Sequence, residues 1–409
     1  MSDSTVEMPG RRRIAAALRA ASERFVRELN EPRSDAPAWD EFEWRAAMAV
    51  SVMHGISGLL ATRLQWRGPA VWNEFLADQL RQGQLREQRV RSLLAKLDAA
   101  ARQAGVPLMV LKGSAMLDMG LYAPGVRPQS DIDLLCRPED EARAVRVIES
   151  LGYEACAATW KHVEFQPIGL SPGRAFGEHI DNPHKIELHV RLLERLLHRE
   201  TKLELHMQHL RPGLNNYAEP LDLLRHLMLH ASGNLSNRGA RLIQVHDVAL
   251  LCRHLGRIEP SALLADAWAD WWKWPLLDLS ERCFPGNVDV DLRAQAASRC
   301  PWWLRRWSAK RAVEDLSLVD LRHPAMPTLA WNRDVPSFAK YIWRRIVPER
   351  NSLPVHIPVV AGVSSTPEQR WEARPRWRRV VRWLFTRPPR AVTMYALRTA
   401  CSYSTSAER

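Results

Sequence analysis

The stretch Leu108 to Cys136, LMVLKGSAMLDMGLYAPGVRPQSDIDLLC, restricts the fold of this chain more than any other. Its apolar run Leu108-Met109-Val110-Leu111 has strand character and stops at Lys112-Gly113-Ser114. Ala115-Met116-Leu117-Asp118-Met119 then reads as a short helix, which puts Gly113 and Ser114 in a strand-to-helix turn. Glycine lets the backbone approach an anion closely, and outward amides with a serine hydroxyl supply donors, so the turn suits phosphate. Further on, Asp131-Ile132-Asp133-Leu134-Leu135 alternates acidic and apolar residues. The pleat of a strand sends both carboxylates to one face and Ile132 to the other. Two like charges side by side repel each other, and a divalent cation, which favours hard oxygen ligands, reconciles them.

A glycine-serine turn followed by an Asp-apolar-Asp strand resembles the nucleotidyltransferase superfamily that includes DNA polymerase beta. The fuller wording, LKG, then LY, then Arg127, then SDIDLL, resembles its bacterial subfamily of uncharacterised nucleotidyltransferases. By pattern the likeness covers roughly residues 40 to 260. It implies an α/β (α+β) fold, a small mixed-sheet core flanked by N-terminal and C-terminal helical segments. It implies a third acid on a later strand, and Glu187 within Lys185-Ile186-Glu187-Leu188-His189-Val190 fits that place. Asp131, Asp133 and Glu187 are then the catalytic residues and the ligands of two Mg2+ ions. Gly113 and Ser114 grip the beta and gamma phosphates of an NTP, with ATP the expected one, and an NMP passes to an unidentified acceptor as pyrophosphate leaves. The chain departs from the pattern in two places. The loop before Asp131 is longer than usual, which Tyr122 to Gln129 takes up with Pro124, Gly125 and Pro128, and the third acid is Glu, one methylene longer than Asp.

Beside this core, several residues keep two readings. Lys112 either neutralises phosphate or points to solvent, and Arg127 either reaches a phosphate or is solvated as charged loop residues usually are. His226 and His230 stand four apart on one helical face, but without a Glu of the H-E-x-x-H kind or a third ligand they read as packing residues. His189 shares its strand face with Glu187 and is the best secondary candidate. A later apolar helix carries Asp247, which the resemblance places over the nucleotide cleft. The sequence holds no G-x-G-x-x-G, P-loop or Ser-His-Asp order, which leaves dinucleotide oxidoreduction, P-loop hydrolysis and triad hydrolysis without support.

The rest of the chain reads mostly as helices. Residues 12 to 29 place Ile14, Leu18, Ala21 and Phe25 at helical spacing, Trp44 to Leu64 is apolar on most of its circumference, and 71 to 104 is a long pattern that ends at Gly105 and Pro107. After Asp131 come a helix opening at Pro138, strands at Val163 to Phe165 and Ile186 to Val190, and a glycine- and proline-rich loop, Gln166 to Pro183, that either lines a cleft or merely connects. A helix from Pro220 to His230, a Ser/Gly/Asn loop through Gly239 and a helix from Leu242 to Leu255 follow.

With 409 residues the chain exceeds one usual domain. The expected units are 1–104 (helical), 105–200 (catalytic core), 201–300 (helical cover) and 301–409 (extension). The net charge of +12 lies wholly in the last of these, where 20 Lys and Arg face 8 Asp and Glu. Trp268, Trp271, Trp272, Trp274, Trp302, Trp303, Trp307, Trp343, Trp371, Trp377 and Trp383 crowd among arginines there and just before. Arg376 to Phe385 is a short basic amphipathic pattern behind a link at Pro354 to Thr366. It admits packing on the protein's own core, or contact of residues 366–409 with nucleic acid, an acidic partner or an anionic membrane. Two further classes thus stand beside the enzyme: a nucleotide-binding sensor or scaffold, and a nucleic-acid or membrane-surface module built on the tail. No stretch reaches the roughly 20 apolar residues of a membrane-spanning helix. The polar start lacks a signal-peptide core and the six cysteines form no C-x-x-C pair, so the expectation is a soluble, cytoplasmic, bacterial-type protein.

Overall fold

The computed structural model describes residues 8–159, 161–169, 176–196, 199–203, 205, 210–264, 270–322, 324, 326–346, 385 and 388–404. The link at Pro354 to Thr366, the pattern at Arg376 to Phe385 except Phe385 itself, and Trp268, Trp371, Trp377 and Trp383 lie outside the described residues.

Four helices lead in: α1 (Arg11–Asn30), α2 (Glu41–His54), α3 (Ser57–Arg63) and α4 (Ala70–Gln103). α1 buries Ile14, Leu18, Ala21 and Phe25, the stripe read from spacing. α2 opens on a reciprocal cap: the Asp40 carboxylate accepts the Glu43 N–H and the Glu43 carboxylate accepts the Asp40 N–H, satisfying two donors that a helix start leaves open. The single helical region predicted over Trp44 to Leu64 is two helices. Gly55 adopts a left-handed φ of 69°, which a side chain disfavours, and turns the chain between them. α3 and α4 then carry two glycines on which a loop rests directly. A Cβ at Gly58 would lie 2.6 Å from Val126 O, one at Gly83 would meet Gly125 O, and the Glu87 carboxylate accepts the Gly125 N–H at 2.8 Å. This close seating anchors the long loop that contains Arg127.

Six strands form a mixed sheet in the order β3-β4-β5-β2-β1-β8, with β1 (Pro107–Val110), β2 (Asp131–Leu135), β3 (Tyr153–Ala158), β4 (Val163–Pro167), β5 (Lys185–His189) and β8 (Gly213–Asn215). β2 runs antiparallel to β1 and parallel to β5, as an α/β fold of mixed sheet requires. One sheet face buries Leu108, Val110, Ile132, Leu134, Phe165, Ile186 and Leu188 in the main core, which also takes in residues of α4 and of α6 (Glu141–Ser150). Side chains of this size stabilise by about 1.5–3 kcal/mol each when fully buried. The other face is polar across β2, β4 and β5 and becomes apolar only at Met109, Leu111 and Leu135, which cluster with Leu192.

The sequence did not announce β3, the hairpin of β6 (Leu192–Leu196) and β7 (Arg199–Leu203), or β8. β8 has only three residues, and distant partners hold it: Asp98 Oδ1 accepts the Leu214 N–H at 2.8 Å and Asn215 Nδ2 donates to Leu108 O at 3.1 Å. Between β1 and β2, α5 (Lys112–Asp118) begins three residues earlier than the helix predicted from Ala115, so Gly113 and Ser114 belong to its first turn.

α7 (Pro220–Ser236) and α8 (Leu242–Leu255) contribute side chains to a cleft over the polar face. The loop expected from residue 231 is the last part of α7. Its Ser232 and Ser236 are buried and small enough for close packing, and the Ser236 hydroxyl donates back to Gly233 O at 2.9 Å. Shorter helices follow, and the helix Ala391–Cys401 packs on α2, with Arg45 donating to Tyr403 O at 2.6 Å and Arg390 to Ser317 O at 2.9 Å. The tryptophans divide: Trp271, Trp272 and Trp274 are buried, whereas Trp302 and Trp343 are exposed. Among the described residues no helix is long and apolar enough to cross a membrane, and the six cysteines are free.

His54, in the last turn of α2, is fully buried; its Nδ1 accepts the Leu242 N–H at 3.2 Å, and burial, helped by Arg241, brings its pKa down to about 3. The unfolded chain, with an ordinary value of 6.5, takes up the proton first. The stabilisation is therefore present above that value and lost as pH falls from there towards 3. Chemical denaturation is expected to show about 1.4 kcal/mol lost per pH unit below about pH 6 from this group. His54→Gln should flatten the slope by that amount; an unchanged slope would place the titration elsewhere.

Candidate functional site

Strand register assembles the acidic side chains. On parallel β2 and β5, Asp131 pairs with Lys185 and Asp133 with Glu187, while antiparallel β4 sets Glu164 beside Glu187. Alternation puts Asp131, Asp133, Glu187 and His189 on one face, and one oxygen from each of the three acids lies within 4.8 Å of the others. The acids read from two distant segments thus meet, and together they could hold a cation.

Their surroundings differ. Lys112 Nζ pairs with Asp133 Oδ1 at 2.6 Å, so it does not point to solvent. Burial disfavours its ammonium form, but Asp133, then Glu194 and Glu187, outweigh that and hold its pKa above the ordinary lysine value. Burial likewise works against the Asp133 carboxylate, but Lys112 and His189, whose Nε2 is 3.2 Å away, draw its pKa well below the usual range. Among the described residues Asp131 has only the Ser130 hydroxyl, at 2.9 Å, as a hydrogen-bond donor; burial, then Asp133 and Glu187, push its pKa up. Three acids with one ammonium leave a local excess of negative charge.

On the opposite wall Lys112 adopts φ 46°, a left-handed conformation unusual for a residue with a side chain and costing on the order of 1–3 kcal/mol. Gly113 lines the cleft, and a Cβ there would fall 2.5 Å from Arg127 Nη1. Ser114 is buried and does not line it: its N–H goes to Leu111 O at 3.2 Å, and its hydroxyl has no hydrogen-bond partner among the described residues. Arg127 is no solvated loop residue. Asp247 holds its guanidinium in a two-pronged pair, Nε to Oδ1 at 2.9 Å and Nη2 to Oδ2 at 2.8 Å, and Tyr122 donates to the same Oδ1 at 2.7 Å. Beside it stands half-buried Arg241, whose Nε donates to Met53 O at 3.0 Å. These groups enclose a cleft of about 280 Å³ between the acids and the two guanidiniums.

A family model described as uncharacterised nucleotidyltransferase matches residues 40–277, more than half of the chain. The chain belongs to this nucleotidyltransferase family. No curated protein and no solved structure matches it. The matched span contains the whole sheet together with α7 and α8, so every residue that lines the nucleotidyltransferase cleft lies inside it.

Sequence reasoning missed Lys161, His162, Glu178, Arg241 and Gln244 in this nucleotidyltransferase cleft. His162 had a signal: His162-Val163-Glu164 alternates as Glu187-Leu188-His189 does, and both strands turn their polar residues to the same face. Of the Gln166 to Pro183 loop, Glu178 lines the cleft, tied to α4 through Arg86 and Gln79. Arg241 precedes a helix and had no signal, since its partner Met53 is far away in sequence. His226 pairs with the Tyr217 hydroxyl at 2.6 Å and His230 with Glu194 at 3.0 Å. Neither belongs to a group of potential metal ligands among the described residues.

Proposed function

We propose that this nucleotidyltransferase moves a nucleoside monophosphate from an NTP, with ATP the first candidate, to a hydroxyl or similar nucleophile of an acceptor. The oxygen of the acceptor forms a bond to the alpha phosphorus, the bond from that phosphorus to the bridging oxygen breaks, and pyrophosphate leaves. One observation carries this reading: three carboxylates converge in a cleft that two partly buried guanidiniums and the glycine of the β1–α5 turn also line.

The donor set fits Mg2+, since it consists of hard oxygens whose negative charge adds to burial in raising the Asp131 pKa. Asp131, Asp133 and Glu187 would hold two such ions, Glu187 mainly the one nearer the attacking group. Bound there, Mg2+ neutralises triphosphate charge and lowers the pKa of the attacking hydroxyl. The protein's own groups do the rest. Lys112 and His189 keep Asp133 ionised, Arg127 held by Asp247 faces the beta and gamma phosphates with Arg241 beside it, and Gly113 admits them close to the backbone. Fixed donors and charges of this kind need little rearrangement as charge moves to the leaving group.

The acceptor class, whether small molecule, protein or RNA, is open to a direct test. Cell extract is incubated with the protein, Mg2+ and labelled ATP, and mass spectrometry looks for a component heavier by one nucleotide, with equal release of pyrophosphate. A non-catalytic nucleotide sensor gives the opposite outcome, calorimetric NTP binding without pyrophosphate for any acceptor, and that result would end the transfer reading.

A further inference from the structure

The polar sheet face holds a second group of potential donors, which overlaps the carboxylate site at Glu187 and brings in His162. His162, Glu187 and His189 each offer one ligand atom, and these atoms lie within 4.8 Å of one another. His162 Nδ1 stands 3.2 Å from Glu187 Oε2, yet it makes no hydrogen bond among the described residues. His189, 1% exposed, holds Nε2 between Asp133 Oδ1 at 3.2 Å and Glu187 Oε2 at 3.7 Å, and its ring meets that of His162 edge-on with centroids 4.8 Å apart. Ligands about 2.0–2.1 Å from a tetrahedral ion stand about 3.3 Å from each other, so one edge of such a site is already in place and a second is nearly so.

The strand order places His162 and Lys112 on opposite sides of Glu187. Glu187 lies on β5, with β4 and His162 on one side of it and β2 with Asp133 on the other, and Lys112 sits beyond β2 at the end of β1. Two imidazoles and a carboxylate form a softer donor set than three carboxylates. Imidazole suits Zn2+ and its neighbours, whereas Mg2+ favours oxygen.

We infer that His162, Glu187 and His189 form a binding site for a divalent transition cation of the zinc type, adjoining the carboxylate site and sharing Glu187 with it. Two histidines and one glutamate leave a fourth position for a ligand from outside the protein, as in metal sites that take part in chemistry. His162 and Glu187 both line the cleft, so that ligand enters from the cleft. The inference goes beyond nucleotidyl transfer and would stand without it.

The test uses full-length protein stripped with a chelator and titrated with Co2+ in the absence of nucleotide. The expected result is one Co2+ per chain with the visible absorption of an imidazole-ligated ion, displaced by Zn2+ and retained against about a hundredfold excess of Mg2+. His162→Ala and the more conservative His162→Gln, each checked for an unchanged thermal midpoint, should weaken binding at least tenfold and bleach the absorption. Asp131→Asn should leave both in place. Unaltered Co2+ affinity and spectrum in whichever His162 variant keeps its fold would overturn the inference, as would loss of the Co2+ site in Asp131→Asn alone. Because no nucleotide enters the experiment, a failure of the transfer reading would leave its result unchanged.

Discussion

Asp131→Asn is expected to lower nucleotidyl transfer about a thousandfold while leaving the thermal midpoint unchanged or higher. The two effects have one origin. Asp131 stands beside Asp133 and Glu187 with only a hydroxyl to hold it, and burial and its acidic neighbours raise its pKa. An amide of the same size removes one of three mutually repelling charges, so folding gains or is unaffected. The oxygen charge that would bind a cation is lost with it, and charge stabilisation of several kcal/mol corresponds to about a thousandfold in rate. Pyrophosphate release under saturating NTP, read beside a melting curve, checks both. Full transfer activity in this variant, or in Asp131→Asn with Asp133→Asn, would overturn the proposed mechanism.

Asp247→Ala is expected to do the reverse, acting first on the fold. It would leave the Arg127 guanidinium, 14% exposed at its side chain, and the Tyr122 hydroxyl without the carboxylate that both use. Removing one partner of a buried ion pair costs about 3–5 kcal/mol, because the other charge stays buried and uncompensated. Arg127→Met combined with Asp247→Leu removes both charges and should recover most of the stability seen in urea unfolding. NTP affinity should stay low in the pair, since Arg127 is proposed to face the phosphates. Recovery of NTP binding along with stability would exclude Arg127 from that role.

The two predictions also mark what could be read from the chain. The alternation in Asp131-Ile132-Asp133 and Lys185-Ile186-Glu187 decides which face each residue takes, because the strand period is two. Both faces, and the meeting of the two segments in register, agree with that reading. Period alone cannot tell which distant groups pair. The Lys112 ammonium on Asp133 and the Asp247 clamp on Arg127 depend on how loops and helices pack, and each joins residues far apart in sequence. The missed strand β8 and the extended α7 have the same cause. Three residues carry too little pattern to register as a strand, and a Ser-Gly-Asn run has loop propensity until burial against a neighbour makes small side chains an advantage.

The parallel pairing of β2 with β5 has one more consequence. Both strands are backbone-laddered at the fixed interstrand spacing of about 4.8 Å, so the acidic pair Asp133 and Glu187 moves as one piece. Any rearrangement that accompanied substrate entry would therefore fall to the walls, α7, α8 and the stretch around Glu178, while the floor keeps its shape. Under the proposed transfer reading, selectivity for the acceptor would then lie in those walls, and grafting them from one relative to another would be expected to exchange acceptors without disturbing the floor beneath.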